Sequence, residues 1–575
     1  MLKRLLRAVQ AGSLLFGTFF IIGLSTSARA QDMDMHAGHN MDAPVMRGDS
    51  VLWRMPPMDM SMPMLPGMDT EVPITAAYLP GAGLDPMSVP EAKPFEILDV
   101  DDGDTIHLQA GLVRRQIGAQ TLVMMGYNGQ YPGPLLRVSR GANINVHFVN
   151  AIDQPTTVHW HGLRLDDYRF DGIPGISQAP VESGESFLYK LNFPDEGLYW
   201  YHPHMREDVQ QDLGLYGNML VNPISADFYA PVNREQTLVL DDILIDANGI
   251  IPYGKSAPTH ALMGRFGNVM LTNGVTDFSM DVKRGEVVRF FLTNVANSRT
   301  FNVVFGGNPI KVVASDISRY EEEMSVSSVV IAPAERYIVD VLFDEPGEVT
   351  ITNTVQAINH FRGEFYPSVQ ALATVRVDDT PADVSHAAAF EELRTNEEVI
   401  ADIDSFRPYF DKAPDKELEL TVRVNNLPLP VMRMMEIDTL YVPPIEWNDA
   451  MPMMNWVSTG EQVEWLLREK DTGRESMDIN WTFQKDDVVK VRIFNSPRSF
   501  HPMNHPIHFH GQRFLVTHID GVENPNMAWK DTAIVPVGST VDFLVHMSNP
   551  GKWMAHCHIA EHLHAGMMLS FEVTD

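Results

Sequence analysis

The sequence predicts an all-β protein built from three homologous domains, and two observations carry that prediction. Apolar runs are short and are broken by Gly, Pro, Asn and Asp, the punctuation of strands and turns. A pair of signatures also recurs three times in the same order. The first member reads VSRGANINVHFVN from Val138 to Asn150, VKRGEVVRFFLTN from Val282 to Asn294, and FQKDDVVKVRIFN from Phe483 to Asn495. Each is a turn, then alternating apolar positions, then a closing Asn, so each is a turn feeding a strand. The second member reads FPDEGLYWYHPH up to His204, FDEPGEVTITNT up to Thr354, and MSNPGKWMAHCH up to His558, with Gly197, Gly347 and Gly551 aligned. Recurrence of a paired signature marks duplicated units.

The elements follow in order. Residues 1–30 read as a signal peptide: Lys3, Arg4 and Arg7 form a basic start, Ala11 to Leu24 is mostly apolar, and Ala28 to Ala30 (ARA) fits a small-residue cleavage site. The apolar run is shorter than the ~20 residues a spanning helix needs. Export by the general secretion route is expected, with no membrane span after cleavage. Residues 31–94 form a Met-rich leader; Gln31 to Asp69 holds neither strand nor helix periodicity and is expected to be largely disordered. The three domains are expected at 95–225, 226–385 and 415–575, with 386–414 as a linker. A chain of 575 residues accommodates this at ~150 residues per domain. The net charge of -32 repels phosphate backbones and anionic lipid, which argues against nucleic-acid binding.

Cys557 is the only cysteine. In an oxidising compartment cysteines normally pair. This one is a buried inert thiol, half of an intermolecular disulfide, or a thiolate held by a metal. Its neighbours decide. Four clusters stand out: HWHG (His159, His161), HPH (His202, His204), HPIHFHG (His505, His508, His510) and HCHIAEHLHAGM (His556, Cys557, His558, His562, Met567). Residues two apart on a strand share a face, so each His-x-His pair points one way. Imidazole suits copper, zinc, iron and nickel, but two imidazoles, a thiolate and a weak thioether are the set of an electron-transfer copper site. His505, Cys557, His562 and Met567 supply that set. Alternation puts His556 and His558 on the face opposite Cys557, so one strand would serve a single copper on one side and a copper cluster on the other. That cluster, drawing on domains one and three, is expected at their interface.

These four clusters resemble those of the multicopper oxidases, the family of laccase, ascorbate oxidase and the bacterial periplasmic cuprous oxidases. The resemblance runs from about Phe95 to the C-terminus. It implies three cupredoxin-like domains, Greek-key β-sandwiches or barrels, and four copper ions. Carried over residue by residue, the type 1 copper takes His505, Cys557, His562 and Met567, and the type 2 copper takes His159 and His508. One type 3 copper takes His161, His202 and His558; the other takes His204, His510 and His556. The middle domain, with Thr352 and Thr354 where the others have histidines, has lost its ligands. The implied reaction passes electrons from a reductant through the type 1 site to O2, forming water, in an exported and periplasmic monomer. Asp171 matches a family carboxylate that relays protons. The cuprous-oxidase branch carries an acid directly after the type 1 histidine; here Leu563 stands there, with Glu561 at another offset.

Methionine points to the reductant. Of 33 Met, ten lie between Met33 and Met68, and Met432, Met434, Met435, Met451, Met453 and Met454 form a second group. Thioethers select Cu(I). The expected function is therefore Cu(I) oxidation in copper tolerance, with phenol oxidation beside it. The alternatives are a laccase proper with aromatic substrates, an Fe(II) or Mn(II) oxidase, and a non-enzymatic copper store. His36 and His39 would join copper capture in the leader.

Overall fold

The computed structural model describes residues 79, 81, 83–254, 257–359, 364–425, 445–447 and 463–575. The signal peptide, the leader methionines, His36, His39 and the second methionine group all lie outside the described residues.

Among the described residues the chain is mostly strand, and each repeat builds two sheets. In the first, Ile97–Val100, Leu135–Ser139, Gly217–Asn222, Gly197–His202 and His159–His161 form one sheet; Gln120–Tyr127, Thr105–Ile117, Asn143–Asn150 and Ser186–Asn192 form the other. In the third, the sheet that matters for the site runs Asn480–Gln484, Met568–Thr574, Gly551–Cys557, His505–Phe509, Thr532–Val535. The middle repeat places Gly347–Asn359 beside Phe301–Phe305, as the third places Gly551–Cys557 beside His505–Phe509.

The closing asparagines explain why the repeats fold alike. Asn150 donates its amide to the carbonyls of Gln154 and Val181, at 2.7 and 2.8 Å. Asn294 does the same with Arg299 and Ile331, and Asn495 with Met503 and Val535. Each buried side chain satisfies one carbonyl of the loop that follows and one of a later segment, so each ties the strand end to both.

The middle repeat encloses its own core, including Phe290, Phe301, Val303, Phe305 and Val375. A larger apolar cluster runs through both the first and third repeats, from Leu108 and Trp160 to Trp553 and Leu569, and takes in one side of the middle repeat at residues such as Ile243 and Leu271. This continuity brings the first and last signatures together. Residues 386–414 are docked rather than loose. Lys311 donates to the carbonyls of Ala389 and Glu392, and the Trp529 indole donates to Asp402 on the helix Glu397–Asp404. Order also begins before position 95. Asp85 caps the short helix Pro86–Ser88, and Ala92 donates to the Arg114 carbonyl, because Val89 is buried against the first repeat. No helix among the described residues is long and apolar enough to cross a membrane.

Candidate metal centre

Cys557 ends the strand Gly551–Cys557, with Ile507 opposite it and His556 opposite His508. Alternation therefore sends the thiol to one side and the imidazoles to the other, as the spacing predicts. On the thiol side, Cys557 Sγ lies 3.5 Å from His505 Nδ1 and 3.8 Å from His562 Nδ1, and those two nitrogens are 3.3 Å apart. His562 sits on the helix Ala560–His564 and its Nε2 lies 3.3 Å from the Leu262 carbonyl. A carbonyl only accepts, so the proton is on Nε2 and Nδ1 keeps its lone pair. Trp465 lies over His562 at 4.1 Å between ring centres and meets His505 edge-on; its indole donates to the Ala261 carbonyl. Met567 is fully buried, with its backbone bonded to both Cys557 and His562. Burial pushes the Cys557 thiol well above its ordinary range and holds His505 down to about 3. Such a thiol is inert until a cation displaces its proton.

On the other side eight histidines converge, all buried. Their nitrogens gather into His159–His161–His508, His161–His202–His558 and His204–His510–His556, each group within 4.8 Å, and the donor atoms of His505, Cys557 and His562 lie within the same distance on the thiol side. These are the residues brought together from the sequence, with His161 within reach of two groups.

Second partners fix the rings. His159 donates from Nδ1 to the Asp171 carbonyl at 2.8 Å, His202 to Pro203, His508 to the Asp531 carbonyl and His556 to the Cys557 carbonyl. His510 Nδ1 meets the Asp171 carboxylate at 2.9 Å and His204 Nδ1 meets Glu207 at 2.7 Å. His161 is turned round: its Nε2 faces Asp531 and Thr532, leaving Nδ1 inward. The inward nitrogens of His159, His161, His202, His204, His508 and His558 have no hydrogen-bond partner, and His510 and His556 point Nε2 at each other across 3.0 Å. Lone pairs cannot bond one another, so this arrangement is unsatisfied without cations between the rings. Burial, and then the neighbouring imidazoles, hold His161, His202, His508 and His510 well below the ordinary histidine range, which keeps them neutral and able to bind a metal. The donor set fits copper: imidazoles on one side, imidazoles with thiolate and thioether on the other.

Several of these partners were not read from the sequence. Asp531 belongs to the third repeat and pairs with Arg336 of the middle repeat, whose Nη1 is 2.7 Å from Asp531 Oδ1. Arg336 also donates to the Leu198 carbonyl of the first repeat, so one guanidinium joins all three. Gly162, at φ +88, lets this pair close up: a Cβ there would run into Asp531 Oδ2 and Arg336 Nη2. Gly172, after Asp171, has φ +84 and leaves no room for a Cβ against the Val158 carbonyl. Glu207, three residues after His204, is a further partner that was not read from the sequence. Glu561 bonds Ser298 and Asn297, and burial pushes its carboxyl up to about 7; Leu563 packs with Ile173 and Met554.

A thiolate site and an all-histidine cluster, back to back on one strand of an all-β chain, define a copper-dependent redox protein. Comparison with known proteins agrees. Three family models, each described as Multicopper oxidase, match residues 112–226, 193–370 and 438–575, together more than half of the chain. The chain belongs to the multicopper oxidase family and is an oxidoreductase. It is 27% identical to Multicopper oxidase MmcO of Mycobacterium tuberculosis, over 79% of this chain and 84% of that one. It is 25% identical to the Iron transport multicopper oxidase FET3 of Gibberella zeae, over 78% and 72%. The solved multicopper oxidase from Campylobacter jejuni, described as a metallo-oxidase, superimposes with a TM-score of 0.65 at 22% identity, covering 88% of this chain and 99% of that one. Its fold is the cupredoxin-like three-domain arrangement seen here.

Proposed function

We propose that the protein is an exported oxidase that takes single electrons from Cu(I) or small phenols and reduces O2 to water. With Cu(I) the balance is four Cu(I), one O2 and four protons giving four Cu(II) and two waters. When bound, copper supplies the one-electron chemistry and the reduction of O2. His505, Cys557, His562 and Met567 would hold one ion, and His159, His161, His202, His204, His508, His510, His556 and His558 would hold three. The observation that carries this reading is the strand ending at Cys557, which serves both groups at once.

The chain's own residues do the rest. Trp465 and the Ala261–Leu262 carbonyls keep water from the thiol group. The Cys557 carbonyl accepts from His556 Nδ1 at 2.8 Å, so a hydrogen bond links the thiol residue directly to the histidine cluster. Asp171 grips His510 through its carboxylate and His159 through its carbonyl, which places its carboxyl to pass protons at the cluster's edge. The leader and third-domain methionines favour Cu(I) as the natural reductant and a role in copper tolerance, since thioethers select that ion. The names of the relatives extend to iron and to laccase, so the test is comparative. Oxygen uptake is measured on copper-loaded protein with Cu(I), Fe(II) and a phenol, with and without residues 31–69. Removal of 31–69 is expected to slow Cu(I) oxidation and spare the phenol. Equal losses on both would overturn the preference for Cu(I).

A further inference from the structure

The acid expected after the type 1 histidine is absent, and Glu561 is turned toward Ser298 and Asn297. Another carboxylate does reach the cluster. Directly after HPH, Arg206 adopts left-handed backbone at φ 50, and the chain turns into the short helix Glu207–Gln210. The turn folds Glu207 back onto His204, Oε1 to Nδ1 at 2.7 Å, with both side chains buried. His204 Nε2 is left without a hydrogen-bond partner and faces His510 and His556. Which nitrogen of an imidazole keeps its lone pair is set by what the other nitrogen donates to.

We infer that Glu207 is a positioning residue of the oxygen-reducing site: it holds the His204 proton on Nδ1 and aims the Nε2 lone pair at the metal. The inference rests on the proposed function. It also makes the two three-histidine groups unequal. His204 and His510 are backed by the carboxylates of Glu207 and Asp171. In the group of His161, His202 and His558, the Asp531 carboxylate behind His161 is shared with Arg336, and His202 has only a carbonyl. Carboxylate backing raises the basicity of a ligating imidazole, so the group containing His204 is the stronger copper site of the two.

The test uses the full chain loaded with copper. Copper per chain is followed against rising chelator, alongside the visible charge-transfer band of a thiolate-bound cupric ion. Glu207→Leu is expected to release cluster copper at about 10–100-fold lower chelator, with the visible band retained. Glu207→Gln keeps an acceptor at the same reach but loses the charge, and is expected to fall between the wild type and Leu. A Leu variant that holds copper like the wild type overturns the inference. So does a Gln variant that falls as far as Leu, whatever the cause of the Leu loss. A wild-type chain without the visible band would instead sink the proposed function, and would be seen before any variant was compared.

Discussion

The outer repeats and the middle repeat share one plan of strands and turns and part company at four positions. Five and seven residues after the aligned glycine stand His202 and His204 in the first, His556 and His558 in the third, and Thr352 and Thr354 in the middle. The two threonine hydroxyls lie 3.1 Å apart and satisfy each other, whereas His202, His204 and His558 leave their inner nitrogens unpaired. Earlier in each repeat, three and one residues before Gly162, Gly511 and Gly306, stand His159 and His161 in the first, His508 and His510 in the third, but Val303 and Phe305 in the middle, both fully buried in its core. At these four positions the outer repeats leave unpaired nitrogens where cations could settle, and the middle repeat closes with hydroxyls and hydrocarbon.

The comparison can be broken or sharpened by experiment. The largest effect is expected from Cys557→Ser, which removes the soft ligand of the third repeat. The visible band should vanish and oxygen uptake fall to background while copper at the eight histidines remains. Next comes acid. In the copper-free protein burial holds His161, His202, His508, His510 and His556 well below the ordinary histidine value, with His558 in the cluster and His505 beside the thiol held down to about 3. Their neutral forms contribute stability that is present above about pH 6.5 and is lost as the pH falls toward those values, at ~1.4 kcal/mol per unit for each imidazole. Chemical denaturation of copper-free protein between pH 7 and 5 should show falling stability (roughly that per-group slope, several groups at once), and copper loading should move the loss to lower pH.

A smaller effect tests the middle repeat's remaining contribution. Arg336→Met strands the buried Asp531 carboxylate and should cost ~3–5 kcal/mol, read from denaturant midpoints. Asn294→Ala unties the middle loop at ~1–3 kcal/mol and should leave copper per chain unchanged, whereas Asn150→Ala and Asn495→Ala should disturb it. The smallest effect is expected from Thr352→His with Thr354→His. Without partners at Val303 and Phe305 no extra copper should bind, and a fifth ion in metal analysis would undo the comparison.

The fold class and the convergence of the histidine and cysteine clusters were legible because their information is local. His-x-His spacing on a strand fixes a face, and the aligned glycines and asparagines mark the repeats. The backing residues were less so. Asp531 is hundreds of positions from His161, and Arg336 lies in a repeat without ligands, so only the docked repeats reveal them. Glu207 was masked by the helix that follows HPH, which strand periodicity does not anticipate. The docking of 386–414 likewise depends on distant partners such as Trp529.

Each of the three all-histidine groups draws from both the first and the last repeat. A growing polypeptide therefore owns no finished cluster until its final strands are made and seated. Metal arriving early would meet only isolated pairs such as His159 and His161. Maturation must be ordered in time: chain completion first, closure of the repeats second, and loading last, through whatever opening the closed protein still allows.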